Sequence, residues 1–135
     1  MNPHYNQHYT KEQIVLILQT IQDCVRENRF VISKNENRQE NIGFINHYNL
    51  TSKMQKEILL QIKFDDFCHT LQNTNIGFEQ EILYVFCLQV KLFNFEGNEE
   101  VVNVYTKFNI IDSRGKRVVI VSFHKRNKPI AYLFR

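Results

Sequence analysis

Hydrophobic positions in the first quarter of the chain recur with the period of a helix. Ile14, Ile17, Leu18, Ile21, Cys24 and Val25 fall three or four residues apart and share one stripe. Thr10 stands three residues before Gln13, the spacing of a capping box, so the helix is expected to begin just after Thr10. The pattern stops near Asn28, and Arg29-Phe30-Val31-Ile32 reads as a short strand. Residues 34–41 are strongly polar and fit either a loop or the exposed start of a second helix reaching Tyr48. Asn49 or Thr51 can cap a third helix whose apolar stripe is Met54, Ile58 and Ile62, with Leu59 beside it.

After Phe64 the period changes from helical to alternating. Phe67, His69 and Leu71 are expected on one face of a strand, and Cys68, Thr70 and Gln72 on the other. Residues 82–92 form a long run rich in β-formers, and residues 93–100 a turn region containing Gly97. Residues 101–111 read as the next strand. Asp112-Ser113-Arg114-Gly115 is a tight hairpin turn, and residues 117–123 pair back across it. Pro129 then interrupts the chain before a short apolar stretch at 130–134. Helices first and strands afterwards predict a single α+β domain, N-terminal helices packed on a C-terminal antiparallel sheet. One sheet face packs on the helices and the other is available to a ligand. Residues 1–9 are expected to be flexible, and residues 125–135 to be a basic extension.

Composition adds limits. A 135-residue chain with 43% hydrophobic residues supports one core. No stretch approaches the ~20 apolar residues of a membrane helix, and the polar start lacks a signal pattern, so a cytoplasmic protein is expected. Cys24, Cys68 and Cys87 are odd in number and lack C-x-x-C spacing, which indicates buried thiols rather than disulfides or a zinc site. The net charge of +3 is unevenly spread: residues 101–135 hold eight Lys/Arg against the single acid Asp112. That asymmetry suits a polyanion or an acidic protein partner, and equally a solvated basic face.

Candidate chemistry centres on two strands. In residues 104–110 alternation puts Val104, Thr106, Phe108 and Ile110 on one face and Tyr105, Lys107 and Asn109 on the other. The second set is either ordinary surface polarity or a row about 7 Å apart that can touch a phosphodiester. The following strand ends in His124, a side chain able to donate or accept a proton, followed by Lys125 and Arg126, cations able to hold phosphate. His69 is a third candidate, where the third helix gives way to a strand. His4, His8 and His47 have no neighbourhood that suggests chemistry. There is no H-E-x-x-H, no Cys/His cluster, no glycine-rich phosphate loop and no G-x-S-x-G. The acidic pairs Asp65-Asp66 and Glu99-Glu100 fall at element ends, where caps are common. A metal-dependent nuclease is therefore disfavoured.

Five segments in order give the chain a family likeness. They are Lys56-Glu57-Ile58-Leu59-Leu60, Asp66-Phe67, Glu81-Ile82-Leu83-Tyr84-Val85-Phe86, Val104-Tyr105-Thr106-Lys107 and Val121-Ser122-Phe123-His124. Their order and spacing across roughly residues 10–125 resemble the MqsR-type (motility quorum-sensing regulator) toxins, ribonucleases of the RelE fold. The resemblance implies a metal-independent messenger-RNA endonuclease without a cofactor, encoded beside a cognate antitoxin protein. By position, Tyr105 matches a functional tyrosine, His124 falls where the family has lysine or histidine, His69 where it has a basic residue, and Lys107 in the same strand motif. Val85 stands near the place of a glutamine used in some members. The expected catalytic set is His124, Tyr105, His69 and Lys107. Lys125, Arg126, Tyr84 and Arg117 are the RNA-binding candidates, with Tyr84 or Tyr105 able to stack on a base. The competing reading is a non-catalytic single-stranded RNA-binding or protein-interaction domain on the same fold.

Overall fold

The computed structural model describes residues 5–35, 38–73 and 76–135. The chain runs β1 (Tyr5–Asn6), α1 (Lys11–Arg26), β2 (Phe30–Ile32), α2 (Gln39–His47), α3 (Ser52–Leu60), a 3-10 turn (Phe64–Asp66), then β3 (Phe67–Gln72), β4 (Ile82–Phe93), β5 (Glu99–Asp112) and β6 (Lys116–Lys125). It is an α+β fold in which three helices pack on one six-stranded sheet of order β1-β3-β4-β5-β6-β2. Every neighbouring pair is antiparallel except β2 with β6, which is parallel. Among the described residues no helix is long and apolar enough to cross a membrane.

Local signals explain the element ends. Thr10 and Gln13 close the capping box that starts α1. Asn28, at φ 60°, ends the helix in the left-handed region that asparagine tolerates. Thr51 caps α3, its hydroxyl accepting from the Met54 N–H, while Asn49 takes the turn between α2 and α3 at φ 48°. Asp112 pairs with Lys116, so Ser113, Arg114 and Gly115 form a three-residue hairpin loop, with Gly115 at φ 85°. The N-terminal segment is more ordered than expected from residue 5 onward. Tyr5 and Asn6 pair with Leu71 and Thr70, and the Tyr9 hydroxyl lies 3.0 Å from Thr70 Oγ1. His4 lies outside the described residues.

The core lies between the helices and the near face of the sheet. Ile14, Leu18, Ile21 and Val25 of α1 meet Phe86, Leu88, Val104, Phe108, Ile120 and Phe123 there. Alternation holds along β4 and β5, so Thr106 and Phe108 face the helices while Tyr105, Lys107 and Asn109 face away. It breaks in β3 and β6. A bulge between Phe67 and His69 inserts Cys68, and a bulge opposite Lys107 and Phe108 inserts Val121. The expectation that Phe67 and His69 share a face is therefore wrong. Phe67 enters the core and His69 turns to the far face, because an extra residue on one strand inverts the parity after it. In β6 the same device seats both Ile120 and Phe123 in the core and turns Ser122 and His124 outward.

The far face is not bare. After β6 the chain doubles back as a tail across it. The Arg126 N–H donates to the Asn103 carbonyl, and the Leu133 N–H donates to the Phe67 carbonyl. Ile130 and Tyr132 pack on Cys68, Val85 and Cys87. The Arg135 guanidinium then closes on Asp66 at 2.6 Å and lies over the Tyr132 ring. All three cysteines are buried free thiols.

Candidate functional site

Two cross-strand rows on the far face bring the candidates together. One row reads His69, Val85, Lys107, Ser122 across β3, β4, β5 and β6, and the next reads Cys87, Tyr105, His124 across β4, β5 and β6. Neighbouring strands lie ~4.8 Å apart, so His69 and Lys107 flank the small side chain of Val85. The Tyr105 and His124 rings stack with centroids 5.4 Å apart. The Lys107 ammonium lies 5.9 Å from the Tyr105 ring centre. All four residues expected to be catalytic thus share one patch.

Each is set by its surroundings. His124 Nδ1 is 2.8 Å from the Lys125 carbonyl oxygen and 3.5 Å from a Glu40 carboxylate oxygen. A carbonyl oxygen only accepts, so this contact places a ring proton on Nδ1 and leaves Nε2 as the other ring nitrogen available for chemistry. Glu40 also accepts from the Asn127 amide, so the tail braces the same carboxylate. A surface cleft of about 420 Å³ between α2 and the end of β6 has Glu40, His124 and Asn127 in its wall. Burial pushes the Tyr105 phenol up to about 12, helped by the neighbouring Cys68 and Cys87, so this hydroxyl stays a proton donor. Burial lowers Lys107, and the nearby Arg38 guanidinium lowers it further.

His69 is the most enclosed of the four, at 8% exposure, with the Tyr5 ring 4.2 Å from its own. Its Nδ1 is buried without a hydrogen-bond partner. Burial, and then Lys107, pull its pKa down to about 4. The linkage has a definite sign. The unfolded chain binds a proton near pH 6.5 and the folded chain only near 4, so this residue makes stability fall as pH drops through that window. The expected loss is on the order of 2–3 kcal/mol between pH 7 and 4. His69→Phe, which keeps a ring against Tyr5 and cannot titrate, should flatten that part of the profile. Urea unfolding at successive pH values reads it, and superimposable profiles for the two proteins would refute the assignment.

The RNA-binding candidates do not stay together. Lys125 points to the helix side, its ammonium 5.6 Å from the Tyr48 ring centre and beside Glu100. Tyr84 also faces the helices, half-buried against the core, and is not presented for stacking. Both depart from the sequence reading for the same reason: each is one residue out of phase with the far-face row. Arg126 is exposed on the far side near Cys87. Arg117 is exposed beside the hairpin turn, opposite Ile111 and ~13 Å along the strand from Lys107.

Sequence reading missed the first turn of α2. Asn41 is fully buried and its side chain fills the gap opened by the β6 bulge. Its amide donates to the Ser33 and Val121 carbonyls at 2.9 and 3.0 Å, and its oxygen accepts from the Phe123 N–H at 2.8 Å. That clamp adjoins Glu40, whose carboxylate lies 3.5 Å from His124 Nδ1. In sequence the segment reads only as polar. Among the described residues no three His, Cys, Asp or Glu side chains come close enough to share a metal ion. No family model, no curated protein and no solved structure matches the chain.

Proposed function

We propose that the protein is a metal-independent endoribonuclease acting on messenger RNA in the cytoplasm, the MqsR-like toxin of a type II toxin–antitoxin pair with a RelE-type sheet. The observation that carries the reading is the convergence of His124, Tyr105, Lys107 and His69 on one sheet face, two of them delivered there by bulges. Such a group set suits cleavage by the ribose 2′-hydroxyl. His124 Nε2 takes the 2′-proton. The 2′-oxygen attacks phosphorus, and the P–O5′ bond breaks to leave a cyclic phosphate. Tyr105, held protonated, donates toward the departing 5′-oxygen or the phosphate, and Lys107 faces the charge on the phosphorane. His69 is neutral near pH 7 and so enclosed that it serves as a hydrogen-bonding wall rather than the principal base. The exposed cations Arg126 and Arg117 are left to guide RNA onto this face. The acidic partner expected of such a toxin is its antitoxin.

The test is cleavage of a labelled single-stranded RNA by purified protein in excess chelator across a salt series. Cleavage is expected to persist in chelator and to fall steeply with salt, because phosphate contacts release counterions. Activity that disappears in chelator and returns with magnesium would defeat the metal-free chemistry. Salt-dependent binding of RNA with no cleavage would assign the face to a non-catalytic RNA-binding domain instead.

A further inference from the structure

The cleft between α2 and the end of β6 shares a wall with the catalytic patch. His124 is that wall: its Nδ1 lies 3.5 Å from Glu40, which also lines the cleft, and its ring stacks on Tyr105. Phe44 and Tyr48, both buried, lie at the base of the cleft. His47 is exposed on its α2 side, its ring set edge-on to Tyr48 at 4.6 Å and to Phe95 at 5.5 Å between centroids. Lys125, which leaves the far face of the sheet, also lines this cleft. A volume of about 420 Å³ is within the ~300–1,000 Å³ range of sites for small ligands.

Two residues of α2 give the cleft its character. Gly43 sits in the middle of the helix, where glycine costs stability. Its backbone is not in the left-handed region, and a Cβ there would meet nothing within 4 Å. Neither backbone geometry nor close packing therefore calls for glycine. What the missing side chain provides is open space in the cleft that Gly43 lines. Glu40 stands one turn earlier on the same helix. The Asn127 amide donates to its Oε2 at 3.0 Å, and the 3.5 Å approach of His124 Nδ1 is to that same oxygen. Oε1 is left without a protein partner among the described residues. A carboxylate braced through one oxygen, with the other open beside an aromatic wall, suits a flat group that carries an N–H donor on its edge.

We infer that this cleft binds one nucleobase bearing an exocyclic amino group, with Glu40 accepting from the amine and the His47 ring stacking on the base. The inference rests on the RNA reading above and adds a base-selecting subsite next to His124. Single-stranded bases stack on aromatic rings whatever their identity, so His47 supplies affinity without choice. The choice comes from Glu40, since a carboxylate can only accept. Uracil carries a carbonyl oxygen where cytosine carries its amine, and would set that oxygen against the carboxylate. Asn127, by holding Oε2, is a positioning residue for the same group.

The test uses two short all-2′-deoxy oligomers, which cannot be cut by internal attack. Each carries a single base at its centre, cytosine in one and uracil in the other, and is abasic elsewhere. Wild-type protein should bind the cytosine oligomer about tenfold more tightly. The Gly43 amide signal in the NMR spectrum should move as it binds. Glu40→Gln, whose amide both donates and accepts, should bind the two oligomers alike. Gly43→Leu, which fills the cleft and favours the helix, should unfold in urea no earlier than wild type and bind both oligomers as weakly as a fully abasic one. Glu40→Gln carries the same decision without added bulk. Equal affinity of the wild type for the two oligomers overturns the base site. So does a cytosine preference that survives Glu40→Gln or Gly43→Leu, or a Gly43 signal that stays still. The two readings fail separately. RNA cleavage by a wild type that shows no cytosine preference discards the base site alone. A Glu40-dependent preference in a protein that cuts no RNA discards the nuclease alone.

Discussion

His124→Ala is expected to lower single-turnover RNA cleavage by on the order of 10²-fold or more while leaving the fold intact. The ring stacks on Tyr105, its Nδ1–H is spent on the Lys125 carbonyl, and Nε2 is the nitrogen left for chemistry. The position lies near the end of β6, outside the helix-side core, so its loss opens no large cavity there. His124→Gln retains hydrogen bonding without a titrating base and should be as slow as alanine. Tyr105→Phe separates two roles for the phenol: a small loss if the ring only stacks, a large one if the hydroxyl gives a proton. The measurement is cleavage by folded variants across pH 5–9. If His124→Ala and His69→Ala both cleave at the wild-type rate, the acid–base assignment is wrong.

The largest expected effect on stability comes from a residue that touches no substrate. Asn41→Leu should destabilise the protein by on the order of 3 kcal/mol or more. It removes these partners from the part-buried Ser33 and Val121 carbonyls and from the buried Phe123 N–H, and a polar group left unsatisfied costs ~1–3 kcal/mol. Asn41→Asp keeps the acceptor for Phe123 but sets a carboxylate against two carbonyl oxygens, so it should not rescue. Urea unfolding reads both, as a lower midpoint with an unchanged slope. A loss below about 1 kcal/mol for Asn41→Leu would mean that the bulge holds without its clamp. The same substitution should slow RNA cleavage, because the clamp seats the turn that carries Glu40 beside His124.

These two residues mark how far the site was legible in the chain. Tyr105 and Lys107 could be placed on one face from alternation, because β5 pairs with β4 without interruption and a regular strand has a period of two. His124 and His69 were recognised as chemical candidates, yet their placement needed two bulges that alternation does not encode. Uninterrupted pairing would put His69 in phase with Phe67, and His124 in phase with Ile120. Lys125 and Tyr84 lie off the far face for the related reason that a basic or aromatic residue next to a far-face residue in sequence points to the opposite face of the sheet. Glu40 and Asn41 carried no local signal at all.

The sequence by itself determined what depends on neighbours a few residues apart. That includes the capped start of α1 at Thr10, the Thr51 cap of α3, the strand character of residues 82–92 and 101–111, the hairpin at Gly115 and the α+β order. These follow from hydrogen bonds and side-chain periods that close within one turn or one strand. Only the tertiary structure decided which face carries the histidines, that β2 joins β6 in parallel, that the C-terminal tail covers Cys68 and Cys87, and that α2 contributes to the site. Each of these depends on contacts between distant segments: Asn41 reaches Val121 and Phe123 across 80 and 82 residues, and Arg135 reaches Asp66 across 69. Such pairings are selected by the packing of the whole core, where seating both Ile120 and Phe123 outweighs an unbroken ladder, and no local window of sequence contains that comparison.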